Sequence, residues 1–176
     1  MMISFLTILI SSILHIQETS HQIEWNAAKR LTWSDFKGDP DPESNNAALT
    51  SSSITIEFGY SNRGMTYGIK CRFNMINSWG RIKNELILGH EQGHFDLAEL
   101  HARKLNKALK AYVFNSRTVS KDVNGIYESI MKEHHKTQEQ YDLETDHSRK
   151  IETQYKWQLK IAEELKNLEL FAYYKK

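Results

Sequence analysis

The pentapeptide His90-Glu91-Gln92-Gly93-His94 constrains this chain more than any other feature. It has the form H-E-x-x-H and sits in a stretch of helical periodicity, where Ala98, Ala102, Leu105, Leu109 and Tyr112 recur at alternating spacings of four and three. Residues four apart share one face of a helix, so His90 and His94 can aim imidazole nitrogens at a single ion. Glu91 then points toward a water on that ion, which is the core of a zinc hydrolase. The helix is expected to begin between Ser78 and Asn84 and to end near Tyr112. Gly89 and Gly93 lie inside it, at a cost of about 1 kcal/mol each relative to alanine, and close approach of another backbone is the expected compensation.

A chain of 176 residues with 40% hydrophobic content can bury one sizeable core. Its 23 basic and 22 acidic side chains are mixed along the sequence, so no strong field favours nucleic acid or anionic lipid. Cys71 is the single cysteine, which excludes an internal disulfide and a cysteine-based zinc site. Any metal must therefore use His, Asp or Glu. From Ile3 to Ile16 the chain is largely apolar, a length that suits a signal-peptide core better than a full membrane span. Residues 1–20 are read as a signal peptide or N-terminal anchor and residues 21–176 as one secreted domain. Contact with a membrane is expected only through the N-terminal segment, if it is not cleaved.

Trp25, Leu31, Trp33 and Phe36 read as core anchors among polar residues. The run Gly38 to Asn46 holds both prolines and reads as a loop. Ile54, Ile56, Phe58 and Tyr60 then alternate with polar residues and glycine, Asn62-Arg63-Gly64 forms a turn, and Met65, Tyr67, Ile69, Cys71 and Phe73 alternate again. This predicts a hairpin over residues 53–74, with Cys71 as a small buried hydrophobe. A break from Asn115 to Gly125 and one long helical stretch from Ile126 toward Phe171 complete the reading, with Ile151, Tyr155, Ile161, Leu165 and Leu168 as its buried stripe. The expected fold is α+β: a small antiparallel sheet packed on two long helices.

Catalytic zinc takes three protein ligands and leaves a position for water. The metzincin spacing would require Gly and His where this chain has Leu97 and Leu100. No carboxylate lies between Leu100 and Lys121, which excludes a short-spacer glutamate ligand. His101 is about 10 Å further along the helix axis than His94, too far to share its ion, and is expected at the surface or behind the ligands. The third ligand is thus expected beyond residue 121, where the run Tyr141 to His147 is densest in donors. His147 is the preferred ligand, with Glu144 orienting or replacing it. Asp96 and Glu99 are expected behind the ligands.

Together, LTWSDFKG, Ser78-Trp79, HEQGHFDLAELHARKL and YDLETDHSRKIETQYKWQLKI resemble an uncharacterised bacterial family, over nearly all of the chain after the leader. Its members are described only as predicted secreted zinc-dependent proteases. The resemblance implies a secreted or periplasmic zincin-like protein with His90 and His94 as ligands and Glu91 as base. The downstream block of that family usually reads Y-D-x-x-T-x-H-G, which maps onto Tyr141, Asp142, Thr145 and His147, with Ser148 in place of the glycine.

The expected activity is hydrolysis of a peptide or protein by a zinc-activated water, one ion per chain, with Glu91 as general base and Tyr141 as a hydrogen-bond donor to the oxyanion. The hairpin offers an edge for an extended peptide. Two rivals stand beside this. Glu91 with His94 and Glu144 with His147 form two E-x-x-H pairs, as in di-iron carboxylate oxidases, although those need four long helices. A secreted module could also hold zinc without turnover, closed by a fourth ligand such as His134, His135 or Glu144.

Overall fold

Period-two alternation resolves into a long antiparallel hairpin: β3 (Ser52–Ser61) pairs with β4 (Gly64–Asn74) in a register that sets Ile54 against Cys71 and Phe58 against Tyr67. The computed structural model describes residues 21–172 and Tyr174, so the apolar run Ile3–Ile16 lies outside the described residues. β1 (Gln22–Glu24) adds to the far side of β4, giving the order β1-β4-β3. Two short strands, β2 (Ala48–Leu49) and β5 (Trp79–Gly80), make a second antiparallel pair. One face of the hairpin, with Ile54, Tyr67, Ile69, Cys71 and Phe73, is buried against the helical layer.

The H-E-x-x-H helix is α1 (Glu85–Ala111), begun by Asn84, whose side chain accepts from the Ile87 amide at 2.9 Å. Its Phe95, Ala98, Ala102, Leu105 and Leu109 pack on the sheet, while Leu97 and Leu100 turn to a second apolar cluster with Tyr141, Trp157, Ile161 and Leu165. α1 is therefore buried on more than one side, which is why its polar residues must find partners within the protein. Two further helices supply that second contact: α2 (Val119–Thr145) and α3 (Ile151–Asn167). The chain is α+β.

The helical region after α1 departs from the sequence reading in three ways. α2 starts at Val119, inside the expected break, because Val119 and Val123 enter the core. The single long helix becomes two, since Asp146, His147 and Ser148 all take positive φ (48°, 49° and 75°) and end α2. The buried stripe of α3 is Gln154, Trp157, Ile161 and Leu165, whereas Ile151 and Tyr155 are exposed. The break frees α3 to choose its own rotation, and Gln154 Nε2 fixes it by donating to the Leu86 carbonyl at 2.8 Å. Among the described residues no helix is long and apolar enough to cross a membrane.

Candidate metal centre

His90 and His94 project from one face of α1 toward α2, where Asp142 meets them. His90 Nε2 and His94 Nε2 are 3.1 Å apart, and each is 3.0 Å from Asp142 Oδ1. Among the described residues this is the one trio of donors that converges in this way. A zinc ion with bonds of about 2.0–2.1 Å in tetrahedral geometry separates its ligands by about 3.3 Å, so the triangle needs only a few tenths of an ångström of expansion.

Proton bookkeeping supports the same fit. Gln138 Oε1 accepts a bond from His94 Nδ1, while Gln138 Nε2 donates to the His94 carbonyl at 2.9 Å. An imidazole that donates from Nδ1 presents a lone pair at Nε2 when neutral. That lone pair faces a carboxylate oxygen, an arrangement that calls for a positive centre between them, either a proton or a metal ion. The electrostatics show the demand. Burial pushes the Asp142 carboxyl up, but hydrogen bonds from His90 and His94 outweigh it and hold the group well below the usual carboxylate range. Burial pulls His94 down, yet its bond to Asp142 and the charges of Glu91 and Asp142 leave it raised. His90 is lowered, because there burial outweighs the bond to Asp142.

Glu91 is buried, and its Oε2 has no hydrogen-bond partner among the described residues. An unpartnered buried carboxylate oxygen is costly unless a ligand or water completes it. It lines a cavity of about 300 Å³ together with His90, His94 and Asp142. The stretch from Asn46 to Ser52 also lines it, tied to α1 where Thr50 Oγ1 donates to the Glu91 carbonyl at 3.1 Å.

Of the other expected site residues, His147, His134 and His135 also line this cavity, and the rest fall elsewhere. His147 lines the cavity with its ring half exposed, and its Nδ1 lies 3.5 Å from Asp142 Oδ1. The converging third donor is thus Asp142, with His147 beside it. Tyr141 is fully buried beneath the histidines and its hydroxyl faces the His90 carbonyl at 3.4 Å, so it does not face the cavity as an oxyanion donor. Glu144 points away, accepting from Trp157 Nε1 at 2.8 Å and Gln140 Nε2 at 2.7 Å. Asp96 takes bonds from Trp25, Gln92 and Arg30, and Glu99 pairs with Arg103, so both anchor other parts of the fold. These two line a larger cleft of about 1620 Å³ that also has Trp25, Arg30 and Arg103 in its walls and holds no converging metal donors among the described residues. His101 is fully buried rather than superficial, with Nδ1 bonded to the Leu97 carbonyl. His134 and His135 line the cavity, and His134 Nε2 receives the Gln138 amide at 2.8 Å. The two glycines of α1 admit side chains rather than backbone, Tyr141 at Gly93 and Gln158 at Gly89.

Gln138 escaped the sequence reading, although the signal is visible: Gln138, Tyr141, Asp142 and Thr145 follow the i, i+3, i+4, i+7 spacing of one helix face. The positive φ of Ser148 also explains why glycine is usual there in the resembling family.

No curated protein and no solved structure matches the chain. A family model described as a bacterial protein of unknown function, DUF922, matches residues 13–148, a span that contains the H-E-x-x-H segment, Asp142 and His147. The chain belongs to that family of bacterial proteins of unknown function.

Proposed function

We propose that this protein is a zinc-dependent peptidase in which His90, His94 and Asp142 hold the ion and Glu91 is the general base. The observation that carries the reading is the convergence of three metal donors on one cavity beside a buried, unpartnered carboxylate oxygen. Zinc held there would supply Lewis acidity, enough to bring the pKa of a water toward about 7 and to polarise a carbonyl. The rest falls to the chain. As the water oxygen bonds to the carbonyl carbon, Glu91 takes its proton, then delivers that proton to the departing amine when the C–N bond breaks. Asp142 offsets part of the ion's charge, and Gln138 holds His94 in the tautomer that presents Nε2.

A peptide substrate is supported by the cavity wall. It is extended chain, and β2 and β3 are edge strands among the described residues, a setting in which a third extended segment can be accommodated. A location outside the cytoplasm rests on the apolar run Ile3–Ile16. The di-iron alternative is disfavoured because its second pair is split, with Glu144 turned to Trp157.

The test compares the native chain with Glu91→Gln for zinc content and for cleavage of an unfolded protein. The reading expects zinc to be retained and cleavage to fall by at least about 100-fold. Equal cleavage by both would refute it.

A further inference from the structure

The geometry points to Tyr141 as the residue that fixes the His90 ring for metal binding, replacing the hydrogen bond that a ligating imidazole ordinarily donates from its second nitrogen. This rests on the metal-site reading above.

Ligating histidines almost always give their remaining N–H to a carboxylate, carbonyl or water, which sets the ring's rotation. His94 obeys through Gln138. His90 does not: its Nδ1 is buried and has no hydrogen-bond partner among the described residues. What His90 has instead is a slab. The Tyr141 ring stacks on it at 4.6 Å and 17°, meets His94 edge-on at 5.0 Å, and is backed by Trp157 at 5.4 Å. Rotation of the imidazole would lose the stacked contact and drive its edge into a fully buried phenol ring.

Gly93 makes this possible. A Cβ at that position would lie 2.8 Å from Tyr141 Cζ and 3.1 Å from Cε1, and nearer still to the hydroxyl oxygen. The second variable position of the H-E-Q-G-H segment is therefore set by the ring that passes beneath it. One face of α2 thus delivers, in little more than one turn, the residue that orients His94 (Gln138), the residue that orients His90 (Tyr141) and the third donor (Asp142).

The experiment measures zinc affinity by competition with a chromogenic chelator, and the visible spectrum of the cobalt-substituted protein. It uses the native chain, Tyr141→Phe, Tyr141→Leu, Gly93→Ala and the Gly93→Ala/Tyr141→Leu double variant. Circular dichroism and urea midpoints in chelator show which variants fold. Phe keeps the slab and should bind zinc within about threefold of native; Leu and Gly93→Ala should each bind about 10- to 100-fold more weakly, with an altered cobalt spectrum. In the double variant Gly93→Ala should add little to the loss, because the ring it displaces is already gone. A folded Tyr141→Leu with native affinity and spectrum overturns the inference, as does Tyr141→Phe binding as poorly as Leu. Should Leu fail to fold, Gly93→Ala decides: native affinity in that folded variant overturns the inference. A native chain that binds no zinc overturns the metal-site reading and this inference with it, whereas failure of the variants alone overturns only the role of Tyr141.

Discussion

At the scale of single residues, identity exposed the candidate metal donors more readily than it exposed their direction. That His90 and His94 converge on one face, with Glu91 in the same cavity, was legible because a helix fixes where residues four apart point. The third donor was not, because Asp142 and His147 both sit in one short motif, and only the left-handed turn after Thr145 decides which of them meets α1. Ser148 is where that turn leaves a trace in stability. It is buried at φ 75°, a conformation that costs an ordinary residue about 1 kcal/mol and glycine almost nothing. Ser148→Gly is expected to stabilise the fold by about 1 kcal/mol, seen as a higher urea midpoint at unchanged slope. A lower midpoint would show that the serine side chain contributes more than its backbone costs.

At the scale of elements, the hairpin was readable in full, since period-two alternation survives whatever packs on it. The helices were readable only in part: periodicity marks a helix but not its rotation, and α3 turned a different stripe inward than the sequence suggested. The contact between α1 and α2 carries a testable cost. His134 and His101 are buried with rings 5.2 Å apart. Burial and the neighbouring histidines hold His134 down to about 3, and burial lowers His101 as well. The unfolded chain binds protons at these histidines near pH 6.5, the folded chain only at lower pH. Their contribution to stability is therefore present above pH 6.5 and is lost as pH falls from 6.5 toward about 3. His94, raised in the folded state, works in the opposite sense above pH 6.5. In metal-free protein, His134→Gln should remove roughly 1.4 kcal/mol per pH unit from the slope of unfolding free energy between pH 6 and 5. Urea titrations at the two pH values check this, and identical slopes in variant and native chain would contradict it.

At the scale of the whole molecule, the sheet and α3 act as a frame that presses α1 and α2 together, so that a site split between two helices becomes one cavity. Metal binding at the proposed centre would then be linked to both folding and protons. Zinc at about 100 times its dissociation constant should add about 2.7 kcal/mol to stability, read as a rise in the thermal midpoint that chelator reverses. Because the folded metal-free protein holds a proton on His94 more tightly than a free imidazole does, zinc bound as proposed would have to displace that proton. Affinity should fall by about tenfold per pH unit below pH 6.5, and a pH-independent affinity would argue against ligation by His94.

Zinc titration of the native chain alongside Asp142→Ala and His147→Ala tests the proposed two-helix metal centre most directly. One ion per native chain is expected, with affinity reduced by at least about 100-fold in Asp142→Ala and far less in His147→Ala. A native chain that takes up no zinc, or an Asp142→Ala variant that binds it as the native chain does, would contradict the account.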